Sequence, residues 1–381
     1  MEYKKCRICK NEKLDIVINL GNQKITSIFK EYGKHDENNS YPISLCMCNN
    51  CGLIQLNETT PLDDMYKTNN YGYLSSISNT MKNHLKNYHN EILEKVNLKK
   101  DDIVIDIGSN DATFLHFYEK NIRRIGIDPA GNQFKKFYYD LELVPDYFNL
   151  NDVINKFGNI KCKIISSICM FYDLPDPVKF AKDIYELLDN DGIWTCEQSY
   201  LLDMIKKNSL DTICHEHLEY YALTQIIEIS NRANLKIIDI KFNSSNGGSF
   251  RIYFSKKNSN KFSECTDLIN KILKEEEKYK LKSLDTYKNF VKKCDDELRK
   301  LTDFIKIINN NNKKAYIYGA STKGNCILQY CNINEKDVKY AVERNPEKIG
   351  LSTNTGIEII SEETMRKDPP EYLIVLPWHF K

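Results

Sequence analysis

The sequence predicts an α/β protein centred on a doubly wound parallel sheet, with a cysteine-bearing module before it and a second, smaller α/β unit behind it. Three observations carry this. Residues 103–107 form an apolar β-type run that breaks into Gly108-Ser109-Asn110-Asp111, and residues 125–127 form a second run that closes on Asp128. Strand-like and helix-like stretches then alternate through the middle of the chain, as βαβ units do. Two C-x-x-C pairs stand near the start, and a strand-helix-strand pattern recurs after residue 315.

At 381 residues the chain can bury two or three separate cores. A net charge of +1 gives no electrostatic footprint for nucleic acid, so none is expected as a partner. The start, Met1-Glu2-Tyr3-Lys4-Lys5-Cys6, lacks the apolar core of a signal peptide, and no apolar run approaches the ~20 residues that cross a bilayer. A cytoplasmic location with no membrane partner is the expectation. Thirteen cysteines without an export signal argue for metal ligation at the paired ones rather than a disulfide framework. Asn- and Lys-rich runs such as 309–314 mark loops.

Cys6-Arg7-Ile8-Cys9 and Cys48-Asn49-Asn50-Cys51 each place two thiolates on one side of a tight turn. Two such turns facing each other make the tetrahedral four-sulfur cage that suits zinc, and closed coordination makes the metal structural. Cys46 is close by, but its spacing fits less well.

Residues 69–78 are dense in aromatic and hydroxyl side chains, fit either to line a polar pocket or to cap the helix expected over 80–98. The run at 103–107 then predicts a strand, a tight loop, a helix and the strand ending at Asp128. At Gly108 the missing Cβ lets the backbone approach a ligand, and the first amides of the following helix are placed to meet polar groups. Asp128 is placed to accept two ribose hydroxyls. A dinucleotide fingerprint needs three glycines, and Gly108 stands alone, so a pyrophosphate is poorly served there. Strands are expected at 163–168 and 192–196 around a helix at 177–188. Residues 106–110, Asp128, 169–173 and 197–200 should converge beyond the carboxyl ends of the strands.

The segment Asp211-Thr212-Ile213-Cys214-His215-Glu216-His217-Leu218-Glu219-Tyr220-Tyr221 is richest in chemistry. Its H-E-H lacks the third ligand and the helical spacing of a metalloprotease, whereas an imidazole beside a carboxylate suits acid and base work. Asn246-Gly247-Gly248-Ser249 reads as a hairpin turn. Residues 262–308 read as one or two linking helices. A half-Rossmann unit follows, with strands at 315–319 and 340–345 around a helix at 321–330, where Lys323 and the loop amides could meet a diphosphate.

Together these residues resemble the sugar C-methyltransferases, which add a methyl group to a nucleotide-linked 4-keto-deoxysugar. The C-x-x-C pairs, Tyr71-Gly72-Tyr73-Leu74-Ser75-Ser76, the loop after Asp106, His215-Glu216-His217, Gly247-Gly248-Ser249 and Tyr318-Gly319-Ala320-Ser321-Thr322-Lys323-Gly324-Asn325 carry the resemblance over nearly the whole chain. Asp106 before a single glycine looks like the first motif of class I S-adenosylmethionine-dependent methyltransferases. The resemblance implies a zinc-binding domain over 1–68, a class I, Rossmann-like methyltransferase core over 69–258, a helical linker over 259–312 and a C-terminal Rossmann-like α/β nucleotide-sugar-binding domain over 313–381. It implies S-adenosylmethionine and a structural zinc ion, a nucleotide-activated keto sugar as substrate, and a monomer.

For the site the resemblance implies zinc on Cys6, Cys9, Cys48 and Cys51. The methyl donor would lie against Asp106, Gly108, Ser109, Asn110, Asp128, Pro129 and Met170. His217 would be the base, with His215 as a second candidate, Glu216 orienting the site and Tyr73 or Tyr71 beside the enolate. Tyr71, Ser75, Glu197, Gln198, Tyr200, Tyr221, Lys323 and Asn325 would meet the acceptor. Sugar O-methylation, or a sugar-nucleotide-binding relative with altered chemistry, are the alternatives. The chain departs from the family pattern at Cys214, where a tyrosine is usual, at Asn246, where a histidine is usual, and at Cys169-Met170-Phe171-Tyr172-Asp173, which lacks a histidine. It ends at Lys381 where relatives continue into a helix, so a shortened C-terminal domain is expected.

Overall fold

The computed structural model describes residues 4–34, 40–66 and 73–378. The N-terminal segment contributes β1 (Leu14–Lys24), β2 (Lys30–Glu31), β3 (Ser40–Cys48) and β4 (Ile54–Leu56). The middle supplies β5 (Ile103–Ile107), β6 (Arg123–Ile127), β7 (Glu142–Val144), β8 (Cys162–Ile168), β9 (Leu188–Ser199), β10 (Glu219–Tyr220), β11 (Leu235–Asn243) and β12 (Ser249–Lys256). The last third supplies β13 (Ala315–Tyr318), β14 (Tyr340–Glu343), β15 (Leu351–Ser352), β16 (Glu358–Ser361) and β17 (Tyr372–Val375).

The central sheet has seven strands in the order β11-β12-β9-β8-β5-β6-β7. β5 is apolar apart from Asp106 and buried along nearly all its length, as a parallel strand covered on both faces must be. The helix Pro177–Leu187 joins β8 to β9, opened by Asp176, whose carboxylate accepts the Lys179 N–H at 3.0 Å, and by Pro177 in the first turn. The helix Asn79–Leu93, capped by Ser78, buries Leu85, Tyr88 and Ile92 against the face that carries Val104, Ile164 and Ile193. On the other face Trp194 is fully buried, its ring stacked 4.5 Å from that of Phe254.

Three expectations need correction. The sheet is not wholly parallel, because β12 runs antiparallel to both β9 and β11 as the return arm of the hairpin at 246–249. The helix expected between β5 and β6 is only the 3₁₀ turn Leu115–Phe117. Asn110 and Ala112 both take left-handed backbone, at φ 48° and 59°, and Phe114, Leu115 and Tyr118 are drawn into the core, so no helical register can start. The helix expected over 80–98 ends at Leu93 in a turn that buries Val96.

The flanking sheets borrow strands. The N-terminal sheet runs β1-β3-β4-β10, so its edge comes from the segment just after His217. The C-terminal sheet runs β17-β13-β14-β16-β15-β2, parallel from β17 to β16, and takes β2 from the N-terminal segment. The helices Thr266–Lys278 and Leu284–Asn310 link the last two units, as the Lys-, Glu- and Leu-rich stretch predicts.

Candidate active site

The four paired cysteines come together. Their Sγ atoms all lie within 4.8 Å of one another, with Cys6 3.5 Å from Cys51 and Cys9 3.5 Å from Cys48. Four thiolates about 2.3 Å from one zinc ion would stand roughly 3.8 Å apart, so the donor set fits the metal with little adjustment. The two turns repeat each other: Lys10 N–H donates to the Cys6 carbonyl and Gly52 N–H to that of Cys48, with Lys10 and Gly52 both at positive φ. The Cys6 thiol is pushed down to about 5, chiefly by the shared hydrogen bond with Cys51. Cys46 takes no part; its Sγ faces the Gln55 carbonyl at 3.6 Å, and burial pushes it up to about 12.

The second cluster lies beyond the carboxyl ends of β5, β6, β8 and β9. Gly108 adopts φ +75°, and a Cβ there would come within 2.8 Å of Met170 Cγ, so the loop and Met170 form a cradle that any side chain would fill. Asp128 is buried, and its two oxygens accept the N–H groups of Asn110 at 2.7 Å and Ala130 at 2.8 Å. A carboxylate offers about four lone-pair positions, so each oxygen keeps capacity for a hydroxyl. Half-buried Pro129 follows it. Asp106 accepts the Ser166 hydroxyl at 2.6 Å, and burial pushes its carboxyl up to about 7. Ser109 Oγ pairs with Tyr138 OH at 2.8 Å. Asn110 reaches the covering segment, donating from Nδ2 to the Tyr73 carbonyl and accepting the Ser75 N–H at 3.0 Å. In place of helix amides, this loop therefore presents a glycine, two buried carboxyls and an overlying strip at 73–76. Tyr71 lies outside the described residues.

The third cluster surrounds His217. Thr212 O can only accept, so the 2.7 Å contact to His217 Nδ1 places the proton on Nδ1 and leaves a lone pair on Nε2. The ring stands edge-on to Tyr172, centroids 4.3 Å apart, and burial pushes the imidazole down to about 4, assisted by the charge of Lys323. Lys323, in the first turn of the helix Thr322–Tyr330, donates to the Asn246 carbonyl at 2.7 Å and lies 3.3 Å from Thr212 Oγ1. Asn246 in turn donates from Nδ2 to Cys169 Sγ at 3.2 Å. The C-terminal end folds onto the same place, where Trp378 Nε1 donates to Asp211 at 3.1 Å. Glu216 is buried, which pushes its carboxyl up. His215 is turned to the N-terminal segment instead, its Nε2 3.4 Å from the Tyr41 carbonyl, and burial pushes it down to about 4.

Several residues expected to meet an acceptor are occupied within the protein. Glu197 spends Oε1 on His84 Nε2 at 2.5 Å and Oε2 on Asn243 and Arg251. Tyr200 donates to Glu276 at 2.8 Å, and Tyr221 is buried in a stack with Phe171. Asn325 joins the Thr26 carbonyl to the Asn354 N–H. Gln198 is fully buried with neither side-chain atom hydrogen-bonded among the described residues. The pair His84 and Arg251 escaped the sequence reading: His84 is one polar residue in a polar helix, and only the register of β12 against β9, Arg251 opposite Glu197, brings the guanidinium to the carboxylate.

Comparison with known proteins follows the same three parts. Residues 6–66 match the family model described as "Putative zinc binding domain", 79–240 the model of a methyltransferase domain, and 244–381 that of a C-methyltransferase C-terminal domain. The C-methyltransferase NovU of Streptomyces niveus is 23% identical over 385 residues, covering 98% of this chain and 90% of NovU. A solved S-adenosylmethionine-dependent methyltransferase from Clostridium acetobutylicum ATCC 824 shares 12% identity at a TM-score of 0.37, covering 48% of this chain and 93% of its own. The cofactors are S-adenosylmethionine and a structural zinc ion. The three matched segments lie end to end in the order of its sheets and clusters, so that along nearly its whole length the chain carries a "Putative zinc binding domain", a methyltransferase domain and a C-methyltransferase C-terminal domain.

Proposed function

We propose that the protein methylates the carbon next to the ketone of a nucleotide-linked 4-keto-deoxysugar, in the making of a surface polysaccharide or glycoside, as a cytoplasmic monomer. The observation that carries this reading is the lone pair on Nε2 of the half-buried His217, held in place by the Nδ1–H to Thr212 bond. S-adenosylmethionine supplies a methyl group on a sulfonium, an electrophile that a carbanion-like carbon can attack. His217 takes the proton from that carbon, and the C–H electron pair passes into an enolate. The Tyr73 phenol, on the strip that covers the Gly108 loop, donates to the developing enolate oxygen. Glu216, whose carboxyl burial pushes up, orients the segment beside the base. Lys323 offers a cation to the acceptor's diphosphate. The division of the chain at 68, 258 and 312 belongs to the same reading, as does the cytoplasmic location, where cysteines stay reduced and can hold a metal.

The experiment is solvent exchange. In D₂O, without the methyl donor, the enzyme should wash deuterium into the carbon beside the ketone of a nucleotide-linked 4-keto-deoxysugar, and His217→Asn should abolish this. Methylation at oxygen with no exchange would move the assignment to O-methylation.

A further inference from the structure

The strand that follows His217 is not part of the methyltransferase sheet. β10 pairs antiparallel with β4, Glu219 opposite Gln55 and Tyr220 opposite Ile54, and so closes the sheet of the cysteine module. Leu56 N–H donates to the carbonyl of Leu218, the residue directly after His217, at 2.8 Å. Arg7 stands between the ligands Cys6 and Cys9, and its backbone N–H donates to Gln55 Oε1 at 2.8 Å. Its guanidinium, fully buried, faces the equally buried carboxylate of Glu219 at 3.6 Å and donates to Thr59 Oγ1 at 2.9 Å. A third tether runs from Gln225 Nε2 to the carbonyl of the ligand Cys51 at 3.0 Å.

We propose that the zinc cage, through Arg7 and Glu219, is the device that sets the position of the His217 imidazole, with Arg7 and Glu219 as positioning residues. The geometry gives the lever. A strand advances about 3.3 Å per residue and alternates faces, so slippage of β10 by one residue would carry His217 out of reach of Thr212 and turn its side chain over. A two-residue strand with one partner has little to hold its register except its ends. One end is the Arg7–Glu219 pair, and Arg7 sits in the turn that Cys6 and Cys9 close on the metal. The zinc thus acts on the reaction from outside the reacting atoms, by fixing where the imidazole stands. The catalytic consequence rests on His217 being the base; the anchoring does not.

The test reads the imidazole itself. Full-length, zinc-loaded protein labelled with ¹⁵N-histidine has seven histidines, and His217→Gln assigns the signal. Wild type should show the Nδ1-protonated pattern at His217. Arg7→Met, and the milder Glu219→Gln should the first not fold, are expected to shift His217 to the averaged pattern of a free imidazole. Zinc content and S-adenosylhomocysteine affinity should stay within about twofold, kcat should fall at least about tenfold with little change in KM, and Arg7→Lys should restore part of both signal and rate. Removal of zinc from wild type by a chelator should produce the same shift. An unchanged His217 pattern in a folded variant, or after zinc removal, overturns the proposal. A shifted pattern with undiminished solvent exchange upholds the anchoring and removes His217 as the base.

Discussion

His217 donates its Nδ1–H to the carbonyl oxygen of Thr212 at 2.7 Å, and this one bond leaves the lone pair of the ring on Nε2. His217→Asn is therefore expected to lower kcat by roughly 10²–10⁴-fold, the usual worth of a positioned general base. S-adenosylhomocysteine binding, measured by calorimetry, should stay unchanged, because the Asp106, Gly108 and Asp128 cluster is built from other strands. Full activity in the variant would transfer the role to another group.

Half-buried His217 and buried Asp106 should give opposite pH signatures. His217 falls from 6.5 to about 4 on folding, so the unfolded chain takes up its proton first as pH drops. Its contribution is present above about pH 6.5 and lost toward pH 4, by up to about 3 kcal/mol. Asp106 rises from 3.8 to about 7, and its neutral form is favoured in the native state. Its contribution is present below pH 3.8 and lost as pH climbs toward 7. Denaturant midpoints at stepped pH should show Asp106→Asn gaining stability relative to wild type between pH 4 and 7, and His217→Asn losing its relative advantage over the same interval. Parallel curves for all three proteins would contradict both assignments.

At Gly108 the φ of +75° strains any L side chain, and an added Cβ would press on Met170. Gly108→Ala should cost about 1–2 kcal/mol from the backbone alone and weaken S-adenosylhomocysteine at least tenfold in calorimetry. Adding Met170→Ala removes the Cγ contact but leaves the residue's own Cβ 3.2 Å away and the φ unchanged, so only part of the affinity should return.

These sites differ in how far the sequence could reveal them. The cysteine turns are local, each complete within five residues, and their spacing alone locates the cage. Gly108 and Asp128 are legible for a related reason: a strand end followed by a glycine, or closing on an acid, has one placement in a doubly wound sheet. The helix after Gly108 failed because periodicity does not register the left-handed turns at Asn110 and Ala112. Glu197 looked like a free carboxylate at a strand end. Its partners His84, Asn243 and Arg251 lie 113, 46 and 54 residues away, and nothing short-range announces them. The two-residue strand β10 is hidden in the same way, since Glu219 pairs with Gln55 of a module far earlier in the chain.

Lys323 should separate acceptor binding from chemistry. Its ammonium ties the C-terminal unit to Asn246 and lies near Thr212 Oγ1 while pressing the His217 imidazole toward neutrality. Lys323→Met is expected to raise KM for a nucleotide-linked keto sugar by about 10–100-fold, as loss of a charge-assisted contact does, with a smaller effect on kcat. Losing the cation also raises the pKa of His217, so the acid limb of the kcat/KM profile should move to higher pH. A profile that stays in place would mean that Lys323 does not reach the base.

The Glu197 network predicts which carboxylate is structural. Arg251 is buried between Glu197 Oε2, 2.6 Å from one terminal nitrogen, and Glu91 Oε2, 2.6 Å from the other, with its guanidinium carbon 3.3 Å from the centre of the Tyr88 ring. Glu197→Gln keeps the shape but leaves the guanidinium with one anion instead of two, which should cost about 3–5 kcal/mol of unfolding free energy, as removal of one partner from a buried pair does. His84→Gln changes only the partly exposed hydrogen-bond partner of the other oxygen of the same buried carboxylate, and about 1 kcal/mol is expected. Both variants together should cost less than the sum, because the charge that strengthens the histidine's hydrogen bond goes with the carboxylate. If Glu197→Gln instead melted like wild type while KM for the acceptor rose, Glu197 would be meeting substrate after all, and the closed network would have to open during turnover.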